Sequence, residues 1–357
     1  MKDGLYRLPK GNRDVFVRRL MAERRLYAPV RRKGEVIFEG VREPEEIFWE
    51  YTNTAKPPKA LFFPPVERLL RYTASTRDHN ALCEIPLDET PSIILGIRPC
   101  DLRALEVLDA VFLQGPYRDP YYAARRENTL LFALACAQPR PTCFCHALGG
   151  GPYEARGADV LLREAGEAYL VEGVSVRGKA WLQNLGQEAG LEEADEADWA
   201  RAQAVEEQAM ARLAAMEPIE GVAPYFAALF DDRDLWREIA DKCLACGTCT
   251  YLCPVCHCFN IVDRPLAGGG ERLRTYDACM YATFTQHASG HNPRPDQAAR
   301  WRQRVMHKFV YLPENVGLYG CVGCGRCIVA CPVSMDIRHV LERLRRAVAQ
   351  AKEQPHG

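Results

Sequence analysis

Apolar residues fall into short unbroken runs in the first half of this chain and into spaced stripes towards its end. Ser92-Ile-Ile-Leu-Gly-Ile97 and Thr129 to Ala135 are continuous apolar stretches of strand length, the pattern of strands buried on both faces. Between them Leu102, Leu105, Val107, Leu108, Val111 and Phe112 give a broad apolar helix face. The turn Arg98-Pro-Cys-Asp101 opens that helix, with Asp101 as its expected N-cap. Two strands flanking a helix predict a β-α-β unit and a parallel sheet. Glu35 to Gly40 and Ala60 to Phe63 predict two further strands. From about Glu154 to Met216 the chain is acidic and Ala-rich and predicts mostly helix, with a short strand near Ala168 to Val174. Glu192 to Asp198 looks like a solvated helix start. Near the end Ile337, Val340, Leu341, Leu344 and Val348 repeat at helical spacing.

Composition narrows the class. A length of 357 residues predicts two or three domains. The net charge of −1 gives no reason for a nucleic-acid partner. The first thirty-three residues are locally basic, with eleven Lys or Arg against Asp3, Asp14 and Glu23. They suggest a solvated arm or helix face, or more sharply a docking surface for an acidic partner. No signal or transit peptide is evident, and no apolar run approaches the length of a membrane span. Sixteen cysteines in such a chain indicate bound metal in a reducing compartment, hence the cytoplasm.

The chemistry lies in the spacing of those cysteines. Cys243, Cys246, Cys249 and Cys253-Pro254 form one C-x2-C-x2-C-x3-C-P run, and Cys321, Cys324, Cys327 and Cys331-Pro332 form a second. This is the ligand spacing of a [4Fe–4S] cubane, and in two-cluster ferredoxins the fourth cysteine serves the other cluster. The expected sets are therefore Cys243, Cys246, Cys249 and Cys331 for one cluster, and Cys321, Cys324, Cys327 and Cys253 for the other. A structural zinc module is the rival, but two C-x2-C pairs satisfy zinc without a third evenly spaced cysteine or a C-P ending. Disulfides suit small secreted domains better. The long segment between the motifs, flanked by helical patterns, favours a helical ferredoxin type. The expected organisation is an α/β domain with a partly parallel sheet over residues 1–230. A mainly helical dicluster ferredoxin domain follows over 231–350.

Eight cysteines lie outside the motifs. Cys100 and Cys136 stand just past the predicted strands, and Cys143-Phe-Cys145 follows with His146 beside it. These four thiols are candidates for a third cluster or a zinc at one sheet edge, against the alternative of ordinary buried cysteines. Cys256, Cys258 and Cys279 are expected to pack near a cluster rather than ligate it, and Cys83 to be a core residue. Gly247, Gly320, Gly323 and Gly325 would let backbone N–H groups approach cluster sulfurs, or simply make turns. No G-x-G-x-x-G follows a strand, no Walker loop appears, and no catalytic constellation stands apart from the metal motifs. Such a chain carries electrons between partners.

Several segments together carry a family resemblance. These are Gly96-Ile-Arg-Pro-Cys-Asp-Leu102, Tyr121-Tyr122 with Arg125-Arg126-Glu127, Cys143-Phe-Cys145 before Gly151-Pro152, Cys253-Pro-Val-Cys-His-Cys-Phe259, and Cys321-Val-Gly-Cys-Gly-Arg-Cys327. From about Lys59 to Arg343 the chain resembles the iron–sulfur beta subunit of cytosolic NAD(P)-linked [NiFe] hydrogenases, the sulfhydrogenases. It is similar also to the A subunit of anaerobic sulfite reductase. The resemblance implies the eight motif cysteines as ligands and a flavin/[2Fe–2S] NAD(P)-binding partner subunit. It further implies either [NiFe] small and large subunits or a sirohaem reductase subunit.

Overall fold

Ser92–Ile97 and Thr129–Leu134 lie parallel and side by side in the computed structural model, which describes residues 5–73, 82–185, 187–213 and 215–353. Every residue of both strands is buried, as their unbroken apolar runs require. They belong to an eight-stranded sheet whose order is Glu192–Glu193, Leu5–Pro9, Ala168–Gly173, Val160–Ala165, Thr129–Leu134, Ser92–Ile97, Arg25–Arg32, Glu35–Gly40. The four strands from Val160–Ala165 to Arg25–Arg32 are mutually parallel, and antiparallel strands flank them on both sides. Alternate side chains feed two cores, as strand geometry dictates. Ile93, Leu95, Leu130 and Phe132 join Phe16, Leu20 and Leu182 from the helices Arg13–Glu23 and Val176–Leu185. Ala165 and Leu170 pack with Ala202 of the helix Glu196–Ala211.

This sheet anchors the first of two compact units, made of Met1–Phe62, Asp88–Pro218 and Val322–Gly325. The second comprises Phe63–Leu87, Ile219–Cys321 and Arg326–Gly357. In place of a single boundary near residue 230, the chain exchanges segments between units, and backbone pairing explains why. Val66–Thr73 is a strand of an antiparallel sheet with Phe259–Leu266, Gly269–Tyr276 and Leu82–Glu84. The buried pair Glu67–Arg274 and the pair Arg68–Glu271 tie it to Gly269–Tyr276 across that sheet. Val322–Gly325 in turn is bound into the first unit, where the Phe144 amide donates to the Gly323 carbonyl at 2.9 Å. The second unit thus adds a four-stranded sheet to its helices. Those include Arg233–Ala240 packed on Gln297–Met306, a π-helical turn His307–Tyr311, and Ile337–Glu353. In the last, Ile337, Val340, Leu341 and Leu344 are buried, as their spacing predicts.

Four local expectations give way. Ala60–Phe63 is not a strand: Pro58–Leu61 is a 3-10 turn, with prolines on both sides that cannot serve a sheet ladder. Asp101 lies inside the helix Pro99–Phe112, whose N-cap is Arg98. The stretch 154–216 holds the expected strand, as Ala168–Gly173, but pairs it in a hairpin with Val160–Ala165, and Glu192–Glu193 is a strand ahead of the helix capped by Asp195. The basic N-terminal stretch is a helix face rather than a free arm. It forms a strand, a helix and the strand Arg25–Arg32, with Lys10 on Glu164, Arg18 on Glu45 and Arg32 on Glu39 at about 2.9–3.0 Å.

Candidate iron–sulfur site

Each motif is a tight loop running into one short helical turn, Thr248–Tyr251 in the first and Arg326–Val329 in the second. Their backbones repeat residue for residue. The residue before the second cysteine has positive φ in both, Ala245 at 55° and Gly323 at 65°. So does the residue after it, Gly247 at 73° and Gly325 at 72°. Two left-handed residues in five fold the chain back on itself, so that cysteines three apart face one point. Gly247 has a second constraint, since a Cβ there would stand 2.5 Å from the Tyr281 hydroxyl.

Within the second unit, Cys243, Cys246, Cys249 and Cys331 line one cleft of about 500 Å³, its mouth included, with Met280, Trp301 and Arg304. Cys327 reaches the same wall. The structure thereby brings the first three cysteines of one motif together with the last of the other. Donors already point at these sulfurs: the Met335 amide at 3.2 Å from Cys331 Sγ, and Gln297 Nε2 at 3.1 Å from Cys243 Sγ. The hydroxyl and amide of Thr248 hold the exposed Cys246 thiol below its usual pKa. Burial raises that of Cys249. A set of four thiols served by N–H donors suits a thiolate-ligated cluster, because hydrogen bonds to sulfur stabilise the ligand charge. Among the described residues no three His, Cys, Asp or Glu side chains converge closely enough to hold a single metal ion.

Of the second expected set, Cys253, Cys321 and Cys327 belong to the second unit and Cys324 to the first. Two buried cations surround the motif cysteines of the second unit, and the sequence reading missed both. Lys308 donates from Nζ to Cys253 Sγ at 3.3 Å and to the Gly320 carbonyl at 2.5 Å. Arg304 donates to the Cys249 carbonyl at 3.1 Å and reaches Cys256 Sγ at 4.0 Å. Burial opposes both charges, yet the neighbouring thiols outweigh it and drive both pKa values up. Lys308 sits in the π-helical turn, an irregularity that proteins often use to aim a functional side chain. The available signal was the i, i+4 pair of Arg304 and Lys308 in register with Trp301, on the face that packs inward.

Cys256 lies against Cys253, and their hydrogen bond followed by burial keeps its thiol protonated well above the usual value. Cys279 is held down to about 6, chiefly by the hydrogen bond from Cys258. Cys83, expected in the core, is exposed on the short edge strand Leu82–Glu84. Cys100, Cys136, Cys143 and Cys145 all line one cavity of the first unit.

Residues 242–335 match the 4Fe-4S dicluster domain family, which makes this an iron–sulfur protein of the electron-transfer class. No helix among the described residues is long and apolar enough to cross a membrane. Over 337 residues the chain is 32% identical to the sulfhydrogenase 2 subunit beta of Pyrococcus furiosus, a match spanning 93% of this chain and 96% of that one. The chain belongs to the family of iron–sulfur hydrogenase beta subunits.

Proposed function

We propose that this chain relays electrons inside a cytoplasmic hydrogenase complex, through two [4Fe–4S] clusters. One would be held by Cys243, Cys246, Cys249 and Cys331, the other by Cys321, Cys324, Cys327 and Cys253. Its partners would be a flavin/[2Fe–2S] subunit that binds NAD(P) and the small and large [NiFe] subunits. The observation that carries this reading is the cleft in which three thiols of the first motif meet Cys331. The crossed arrangement needs that meeting and an uncrossed one does not. When bound, such clusters accept and release one electron at a time. The chain's own part is to hold the thiolates, to place Lys308 and Arg304 beside them as buried positive charge, and to leave the first loop open to an approaching partner. Leu244, between the first two cysteines, is 64% exposed.

A Cys246→Ser variant in the whole complex tests the relay. Hydrogen-linked NAD(P)+ reduction should stop, while dye-linked activity at the separate catalytic modules persists, because a broken middle link blocks only the through-route. Survival of the linked reaction with the cluster demonstrably absent would refute the proposal.

A further inference from the structure

Beyond the relay motifs, the first unit contains a second gathering of thiols. Cys100 follows the strand Ser92–Ile97 and Cys136 follows Thr129–Leu134, so two neighbouring parallel strands deliver them at the same end of the sheet. The loop after Cys136 returns with Cys143 and Cys145, both under a tenth exposed. All four line a single cavity of about 320 Å³ with its mouth, together with Asn53 and Arg98. Backbone bonds fix the loops that carry them: the Cys136 amide donates to the Pro152 carbonyl at 2.8 Å, and the Gly150 amide to the Cys145 carbonyl at 3.0 Å.

We propose that Cys100, Cys136, Cys143 and Cys145 hold a third [4Fe–4S] cluster. Cysteines that merely fill a core close-pack and leave no space between them, whereas these surround one. Zinc would draw its ligands onto one ion at about 2.3 Å each, and no three such side chains among the described residues converge that way. A cubane gives each thiolate its own iron and keeps the sulfurs apart.

The cavity also carries the polar groups a buried anionic cluster requires. Arg98, 4% exposed, spends its Nη1 on the carbonyls of Leu134 and Ala135 and its Nη2 on that of Tyr51, and its Nε has no partner. Its positive charge lies beside Cys136 on the cavity wall, where a ligand bringing negative charge would be favoured. Asn53, also buried, reaches the Cys143 sulfur with Nδ2 at 4.0 Å and accepts from Cys100 Sγ at 3.8 Å. A metal takes thiolates rather than thiols, so a cluster held here would bind all four sulfurs ionised.

Cys324 of the second motif lines the same cavity, and its carbonyl accepts from Asn53 at 2.8 Å. An electron reaching the Cys324 thiolate is therefore at the wall of this site. The third cluster would take one electron there and pass one on, with no bond or proton exchanged. Binding at the site does not depend on the relay reading, which supplies only its use.

The test is iron, acid-labile sulfide and zinc per full-length chain, purified anaerobically, with Mössbauer spectra of the same sample. About twelve irons are expected, falling to about eight in the Cys136→Ser/Cys145→Ser double variant, whose remaining spectrum should match the two motif clusters. Eight irons in the unaltered chain, or eight irons and one zinc, would overturn the proposal whether or not the variant folds. Eight irons with an intact relay would sink the third cluster alone. Twelve irons with a dead relay would sink the proposed function alone.

Discussion

Leu244 and Val322 hold the same place in their two motifs, one residue after the first cysteine, yet Leu244 is 64% exposed and Val322 only 3%. The next residue differs for a related reason. Ala245 tolerates a left-handed backbone at a cost of about 1–2 kcal/mol. Gly323 has the same conformation, but a Cβ there would stand 2.5 Å from the Cys145 amide nitrogen and the Phe144 carbonyl carbon. Cysteine spacing and backbone thus repeat between the two motifs, while the residues between the cysteines are set by what each loop lies against. One motif keeps a wet edge. The middle of the other is built into a folded unit.

The strongest test of that contrast sets Gly323→Ala against Gly247→Ala. The first meets fixed backbone and should cost roughly 3–5 kcal/mol, enough to leave little soluble chain. The second meets the tip of the Tyr281 ring, which can swing away, and should cost about 1–2 kcal/mol. Anaerobic denaturant unfolding of both variants measures the difference, and equal losses would erase it. A subtler break is Cys331→Ala, which should remove the spectrum of the cluster bearing Cys243, Cys246 and Cys249 although Cys331 ends the other motif. Loss of the other cluster instead would show that each motif serves itself. The smallest effect belongs to Lys308→Met. It removes a buried charge 3.3 Å from Cys253 Sγ and should lower the potential of the cluster proposed for Cys253 by on the order of 50–100 mV. A redox titration followed by electron paramagnetic resonance should find the other cluster nearly unmoved.

Features that recur at fixed intervals were legible in the sequence. Ser92–Ile97 and Thr129–Leu134 announce themselves because burial on both faces leaves no polar interruption. The motif cysteines do so because their repeated spacing is that of [4Fe–4S] ligation. Val160–Ala165 escaped notice because Arg163 and Glu164 blur its apolar start within an acidic, Ala-rich stretch, although Gly166-Glu167 is a hairpin turn of the common two-residue length. Lys308 and Arg304 were hidden for the opposite reason. A cation in an amphipathic helix normally marks the solvent face, and only the thiols opposite make these two inward-facing. The exchanged segments Val66–Thr73 and Val322–Gly325 depend on partners far away in the chain, and no local pattern records such pairing.

The carbonyl that receives the Phe144 amide has a consequence for how the protein is made. Synthesis runs from the N-terminus, and the first unit has its whole eight-stranded sheet once Glu193 has emerged. Its last piece, Val322–Gly325, arrives on the order of ten seconds after Pro218 at ordinary translation speeds. Through that interval the loop bearing Cys143 and Cys145 waits without its final backbone partner. The cluster proposed for that site would meet an unfinished wall in the nascent chain. The thiols beside it gain that wall only once residue 325 has been made.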